Sequence, residues 1–335
     1  MSAVLVKFSD ISVVVQGPIR ANTRELLESV RHQLAGSELI LSTFDTEDVT
    51  MVAPHVDRCV ISSDPGSLKP TLKINTAERN NINRQLVSSL AGIKSATRPY
   101  ILKVRSDCLI QGSGFVNLYN NVCKATGEQN RIVCPSFFTR HQQGLSCYLF
   151  HVSDWFSFGD AESINRLWSA NLMSEVDSSY YDDKPHKLGA TYAAKRFRAR
   201  YTPEQHITCQ YAKNLGYRTP EYLDHLNDEL VDQHKKFAAR HFIIAEPDML
   251  GIVLPKYNHL SRSLYMLSDC MSFYDWNQIF RRETGVELGQ SKFFNRSKCI
   301  VATRFVFHIF RKQVIYAVLM SKGATKKFNN LLRRM

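Results

Sequence analysis

The sequence predicts an α/β fold: a mixed, mainly parallel sheet with helices on both faces, followed by a C-terminal helical extension. Three observations point there. Short apolar runs closed by turn or polar residues recur at 11–16, 38–43, 57–62 and 99–105, and helix-period segments alternate with them. Polar residues also gather just past the runs, at the carboxyl edge where open parallel sheets bind ligands.

Taken in order, ISVVVQ at 11–16 has the continuous apolar character of a strand buried on both faces, and Gly17-Pro18 ends it. Asn22 is expected to cap a helix with Glu25 as its capping-box partner, and Leu26, Leu27, Val30 and Leu34 repeat at helical spacing up to Gly36. A helix near 78–96 separates the strands at 57–62 and 99–105. Beyond residue 110 the rhythm loosens. Strands are expected near 131–138, 147–152, 241–246 and 250–255, and helices near 160–170, 203–215 and 221–240. The polar stretch 177–187 reads as a loop over a site.

Composition is that of a folded protein: 335 residues, 44% apolar and 22% charged, with 15 Gly and 11 Pro, so collagen-like, low-complexity and disordered classes are excluded. Eight cysteines without a Cys-x-x-Cys pair read as reduced and mostly buried thiols, as in a cytosolic protein, and no export signal is expected. The net charge of +12 is localised. Residues 291–335 carry eleven Lys/Arg and no Asp or Glu, so nearly all of the excess belongs to the tail.

The strongest chemical candidate is Lys103-Val104-Arg105-Ser106-Asp107, where an apolar strand ends in charged groups. Asp107 is a candidate ligand for Mg²⁺ or Mn²⁺. Lys103 and Arg105 share one strand face and either meet a diphosphate or pair with carboxylates. Gln16, Gly17, Pro18 and Asp45 follow the first two strands, and Asn83, Arg84 and Gln85 suit nucleotide or sugar recognition, or else a solvated helix face. The chain lacks Gly-x-Gly-x-x-Gly and Walker loops and any His-Glu-x-x-His pair, which disfavours dehydrogenases, P-loop kinases and zinc hydrolases. Asp154, Trp155, Asp160 and Glu162 combine carboxylates with an aromatic ring, a pattern that holds sugars and supplies a base. A helix cap explains Asp160 equally well. Glu204, beside Pro203 in a helix's first turn, is either dipole complementation or a site residue.

Together, ISVVVQGPI, LSTFDTED, Asp64-Pro65-Gly66, NRQ at 83–85, KVRSD at 103–107, DWFSFGDAE at 154–162 and Pro203-Glu204-Gln205 resemble the WavE family of lipopolysaccharide-synthesis glycosyltransferases, over about residues 10–215. The resemblance implies a GT-A-like nucleotide-binding domain in which Ser106-Asp107 corresponds to an Asp-x-Asp metal site. Arg105 stands where such a motif carries its first Asp, and a cation there partly neutralises a diphosphate. Expected catalytic residues are Asp154, Asp160 and Glu204; Trp155 and Glu162 would hold the acceptor, and a divalent metal at Asp107 is a possible cofactor.

In the tail, Arg304, His308, Arg311 and Lys312 form one narrow helical stripe among apolar residues between Ile300 and Met320. No uncharged run is long enough to span a bilayer, so an interfacial helix on an anionic membrane is expected, with a terminal helix docked on the main domain as the alternative; no recognisable nucleic-acid reader is seen in the tail sequence. The expected organisation is a GT-A-like domain at 1–260, with a nucleotide half at 1–110 and an acceptor half at 111–260, and a basic helical region at 261–335. The expected activity is transfer from a nucleotide-sugar donor to a lipid-linked glycan at the cytoplasmic face of the bacterial inner membrane. A sugar-phosphate nucleotidyltransferase and a non-enzymatic membrane adaptor are the alternatives.

Overall fold

The computed structural model describes residues 5–73, 79–144, 147–188, 190–260 and 269–288. In chain order the strands are β1 (Ile11–Gln16), β2 (Glu38–Phe44), β3 (Arg58–Ser62), β4 (Tyr100–Arg105), β5 (Leu109–Ile110), β6 (Ile132–Pro135), β7 (Phe156–Asp160), β8 (Phe242–Ala245) and β9 (Ile252–Val253). The longer helices are α1 (Thr23–Gln33), α2 (Ile82–Ser95), α3 (Gly114–Thr126), α4 (Ala161–Trp168), α5 (Pro203–Asn214), α6 (Asp228–His241) and α7 (Phe273–Thr284).

Seven strands make one sheet in the order β3-β2-β1-β4-β7-β6-β8, and β5 pairs with β9 apart from it. All neighbours in the large sheet are parallel except at β7, which runs against both β4 and β6. The chain steps outward from β1 to β3 and then crosses to β4 on the other side of β1. This reversal opens a crevice at the carboxyl ends of β1 and β4. The mixed, mainly parallel sheet with helices is that of a GT-A-like domain.

Every residue of β1 and β2 is buried, which explains their unbroken apolar runs. On one face α2 lies against β1 and β2 so closely that a Cβ on Gly92 would collide with Val14 Cγ1 and lie 2.8 Å from Ser42 Cβ. On the other, Phe115 of α3 meets Phe156 and Phe158 of β7 edge-on at 5.2 and 4.9 Å.

Three expectations are corrected. The strand expected at 147–152 is irregular chain, and the antiparallel strand is instead β7, drawn from a segment that read as an aromatic loop. The expected loop at 177–187 includes part of one short helical turn, Glu175–Ser178, and the whole of a second, Tyr180–Asp183. The boundary at residue 260 falls inside a packed unit, because Trp276 and Phe280 of α7 are fully buried in the main core and the Trp276 indole N–H donates to Ala238 O of α6 at 3.2 Å. The basic stretch 291–335 lies outside the described residues. Cys59, Cys108, Cys123, Cys134, Cys147 and Cys209 carry no disulfide.

Candidate active site

The crevice is built where β1 and β4 end together. Ser106 N–H donates to Gln16 O at 2.9 Å, its hydroxyl donates to Pro18 O at 2.6 Å, and Thr23 of α1 closes the knot by donating to Ser106 O at 3.1 Å. Gly17 turns the chain with φ 125°, and a Cβ there would sit 3.1 Å from Ser106 Oγ, so glycine suits both the backbone and the space. The Gln16 amide donates to Ser88 of α2 at 2.8 Å, which ties the helix to the same edge.

Antiparallel β7 begins at this edge, since Arg105 N–H donates to Trp155 O at 3.1 Å and Val104 faces Phe156. Asp154 and Trp155 therefore stand beside Arg105 and Asp107. Arg105 is held along one edge and on one face: Nε and Nη2 fork onto the two Asp107 oxygens at 3.1 and 3.0 Å, and the guanidinium lies 3.8 Å over the Trp155 ring. Burial works against its charge, but Asp107 and Asp154 hold its pKa above the usual value. Nη1 takes no part in the fork onto Asp107.

Asp154 and Glu204 form the second feature. Glu204 enters from the first turn of α5, which Gln205 docks by donating to Leu149 O at 2.9 Å and Leu223 O at 3.0 Å. Burial raises both carboxyl pKa values, and the neighbouring Glu204 raises that of Asp154 further, against the lowering by Arg105 and Lys103. His151, 2% exposed, reaches Glu204 Oε2 with Nε2 at 3.5 Å. Desolvation, then the nearby Arg140 cation, push the His151 pKa down to about 3, so the ring is neutral at physiological pH.

Several expected site residues are placed elsewhere or are already engaged. Asp160 and Glu162 lie at the opposite edge, where Asp160 pairs with Tyr100; Asp160 caps α4 by accepting from Ser163 N at 2.9 Å, and Glu162 pairs with Arg166 at 2.8 Å. The antiparallel direction of β7 separates them from Asp154. Lys103 is wholly buried, donates to Asp154 O at 2.7 Å and lies 3.9 Å over Trp168, so it supports Asp154 from beneath and does not reach a diphosphate. Asn83 uses both ends of its amide on the Met173 backbone, at 3.1 and 2.8 Å. Trp155 is 3% exposed between Arg105 and Phe138, which removes it as an open sugar platform. Arg84 forks onto Asp64 at 2.7 Å through both nitrogens, Gln85 donates to Asp154 O at 3.4 Å, and Asp45 is exposed after β2. His151 and Arg140 were missed by sequence reasoning, because a lone His and a loop Arg carry no spacing signal.

The donor set does not fit a cation held by protein alone. Among the described residues no three His, Cys, Asp or Glu side chains converge on a metal position, and both Asp107 oxygens already accept from Arg105.

The strand order with reversed β7, and the polar residues at the β1/β4 crevice, define the class: a GT-A-like α/β domain. The family model described as WavE lipopolysaccharide synthesis matches residues 11–306. The chain belongs to that family, whose theme is lipopolysaccharide synthesis. No curated protein matches the chain. Among the described residues no helix is long and apolar enough to cross a membrane.

Proposed function

We propose that the protein is a glycosyltransferase that moves a sugar from a nucleotide-sugar donor to a lipopolysaccharide or related surface-glycan acceptor. The observation that carries this reading is the grouping, by one strand-switch crevice, of a fixed cation with two poorly hydrated carboxyls: Arg105 on Asp107, with buried Asp154 and half-buried Glu204. The Gln16-Gly17-Pro18 turn lets a nucleotide approach backbone closely. Arg105 presents Nη1 to the diphosphate and takes up part of the charge that develops as the leaving group departs. One carboxylate of the pair faces the acceptor hydroxyl. Both Asp107 oxygens accept from Arg105, so the charge of the diphosphate is met by Arg105 in this reading.

The acceptor side of the reading extends to the membrane. The basic, apolar tail would bring the enzyme to a lipid-linked glycan on the cytoplasmic face of the inner membrane, and this part is tested by sedimentation with anionic and neutral vesicles.

Calorimetric titration with UDP, GDP, CMP and their sugar conjugates, with EDTA and with Mn²⁺, tests the donor side. One nucleotide is expected to bind in EDTA, and Arg105→Gln is expected to weaken it at least about tenfold, the scale of a charge-assisted contact. Silence across the panel in folded, vesicle-binding protein favours the adaptor alternative.

A further inference from the structure

Two carboxylates share the buried edge of the crevice, and their surroundings differ in a way that separates their roles. Asp154 is 8% exposed, its Oδ1 is buried without a hydrogen-bond partner, and its backbone carbonyl is tied down by Lys103 and Gln85. The Glu204 side chain keeps 16% of its surface open, stands in the first turn of a twelve-residue helix, and has a nitrogen of His151 against Oε2. A helix N-terminus favours the anionic form of a carboxylate.

The chain goes to some length to put His151 there. Phe150, just before it, is one of two described non-glycine residues with a left-handed backbone, at φ 55°. Such a conformation is strained for a bulky residue and persists only where the surroundings enforce it. Its N–H donates to Nδ1 of the buried His234 at 3.2 Å, and Arg140 N–H donates to His151 O at 2.9 Å. The kinked segment turns the imidazole toward the start of α5.

We propose that Glu204 is the general base that takes the acceptor proton, that Asp154, whose Oδ1 is sealed from solvent, is not the base, and that His151 is a positioning residue that presents Nε2–H to Glu204 Oε2. This rests on the glycosyl-transfer reading above and deepens it to an inverting reaction, the one that needs a base. In the step, the acceptor O–H proton passes to Glu204, the acceptor oxygen forms the new bond to the anomeric carbon, and the bond from that carbon to the phosphate oxygen breaks with its electron pair leaving on the nucleoside diphosphate. The groups that set the balance of charge around the pair are Lys103 and Arg105 with Asp107 on β4, Arg140 with Asp269, His234 on α6, and His141 near His234. A neutral His151 is the form that donates without adding a charge.

The test uses the full-length protein and two independent readouts. The first is the pH profile of transfer: Glu204→Gln is expected to lose roughly 10²–10⁴-fold, the range of a general base, and Asp154→Asn far less, since an amide of the same shape fills the sealed Asp154 position. His151→Leu removes the donor, so the acid limb of the profile moves to higher pH, whereas His151→Gln, which keeps an N–H near the same place, returns it toward the wild-type position. The second readout needs no substrate. Titration of ¹³C-labelled carboxyl resonances follows Glu204 directly in wild type and in the His151 variants, and its midpoint is expected to rise in His151→Leu alone. A greater loss for Asp154→Asn than for Glu204→Gln, a rate that drops equally at all pH in His151→Leu, or an unmoved Glu204 titration overturns the proposal. Failure to find any transfer, with the Glu204 titration still shifting, overturns the glycosyltransferase reading and leaves the coupling of His151 to Glu204 established.

Discussion

At the scale of single residues, the two site carboxylates carry a stability cost that follows from where they are buried. Burial raises the pKa of both Asp154 and Glu204, so the folded state prefers their protonated forms and stability falls as pH rises through the ordinary carboxylate range toward the raised values. Glu204→Gln is therefore expected to raise the melting temperature at neutral pH while abolishing most turnover, and the stability gain should vanish when both are measured near pH 3. Lys103 works with the opposite charge. Its pKa is lowered to about 7 by burial, so between pH 7 and 10.5 the unfolded chain holds a proton the folded one does not. Stability of wild type relative to Lys103→Met should then increase across that window by on the order of 1 kcal/mol per pH unit, and denaturant titrations at several pH values measure it. Asp160 supplies the contrast: Asp160→Ala removes a helix cap at a cost of about 1 kcal/mol and is expected to leave turnover unchanged, because its edge of the sheet is the far one.

Between elements, distances are set by small side chains and by one reversed strand. Gly92 lets α2 approach β1 and β2, and Gly92→Ala would push against Val14 and Ser42, with an expected loss of about 1–3 kcal/mol and a displaced Gln16–Ser88 contact. Nucleotide affinity should fall in the same variant, since Gln16 borders the crevice. β1 and β2 were legible because each is buried along its whole length and reads as a near-continuous apolar run, and the edge strand β3 and the strand β4 because short apolar runs end there in polar residues. β7 was not: FSFGD follows DW without a turn signal, and its strand character depends on β4 and β6 lying on either side of it. Missing that strand also misplaced Asp160 and Glu162, since its antiparallel course carries them away from Asp154 to the opposite edge of the sheet.

For the molecule as a whole, the packed unit extends through α7. Trp276 and Phe280 are fully buried against α6 and β8, and Ser272 caps the helix with Asp275 in a reciprocal pair of hydrogen bonds at 3.1 and 2.8 Å. A chain ending at residue 260 is expected to lose cooperative unfolding, and Trp276→Ala to cost about 3–5 kcal/mol, both readable by circular dichroism during denaturation. The family match, which runs to residue 306, agrees with a unit longer than the apolar pattern of the first half suggested.

Sequence by itself determined the βαβ rhythm, the polar residues at the carboxyl ends of the strands, and the family, because buried strands and their polar ends write themselves locally as apolar runs followed by turns; that β1 and β4 end side by side came from the sheet order. Which polar residues meet was decided by tertiary structure. Lys103 and Arg105 share a strand face two residues apart, yet one is sealed beneath Asp154 and the other faces the crevice, according to what packs over each. His151 and Glu204, more than fifty residues apart in the chain, come within 3.5 Å only because a left-handed Phe150 and the docked start of α5 bring them there. Local chemistry fixes what a segment tends to form; long-range packing fixes which charges lose water together, and that determines which of them can do chemistry.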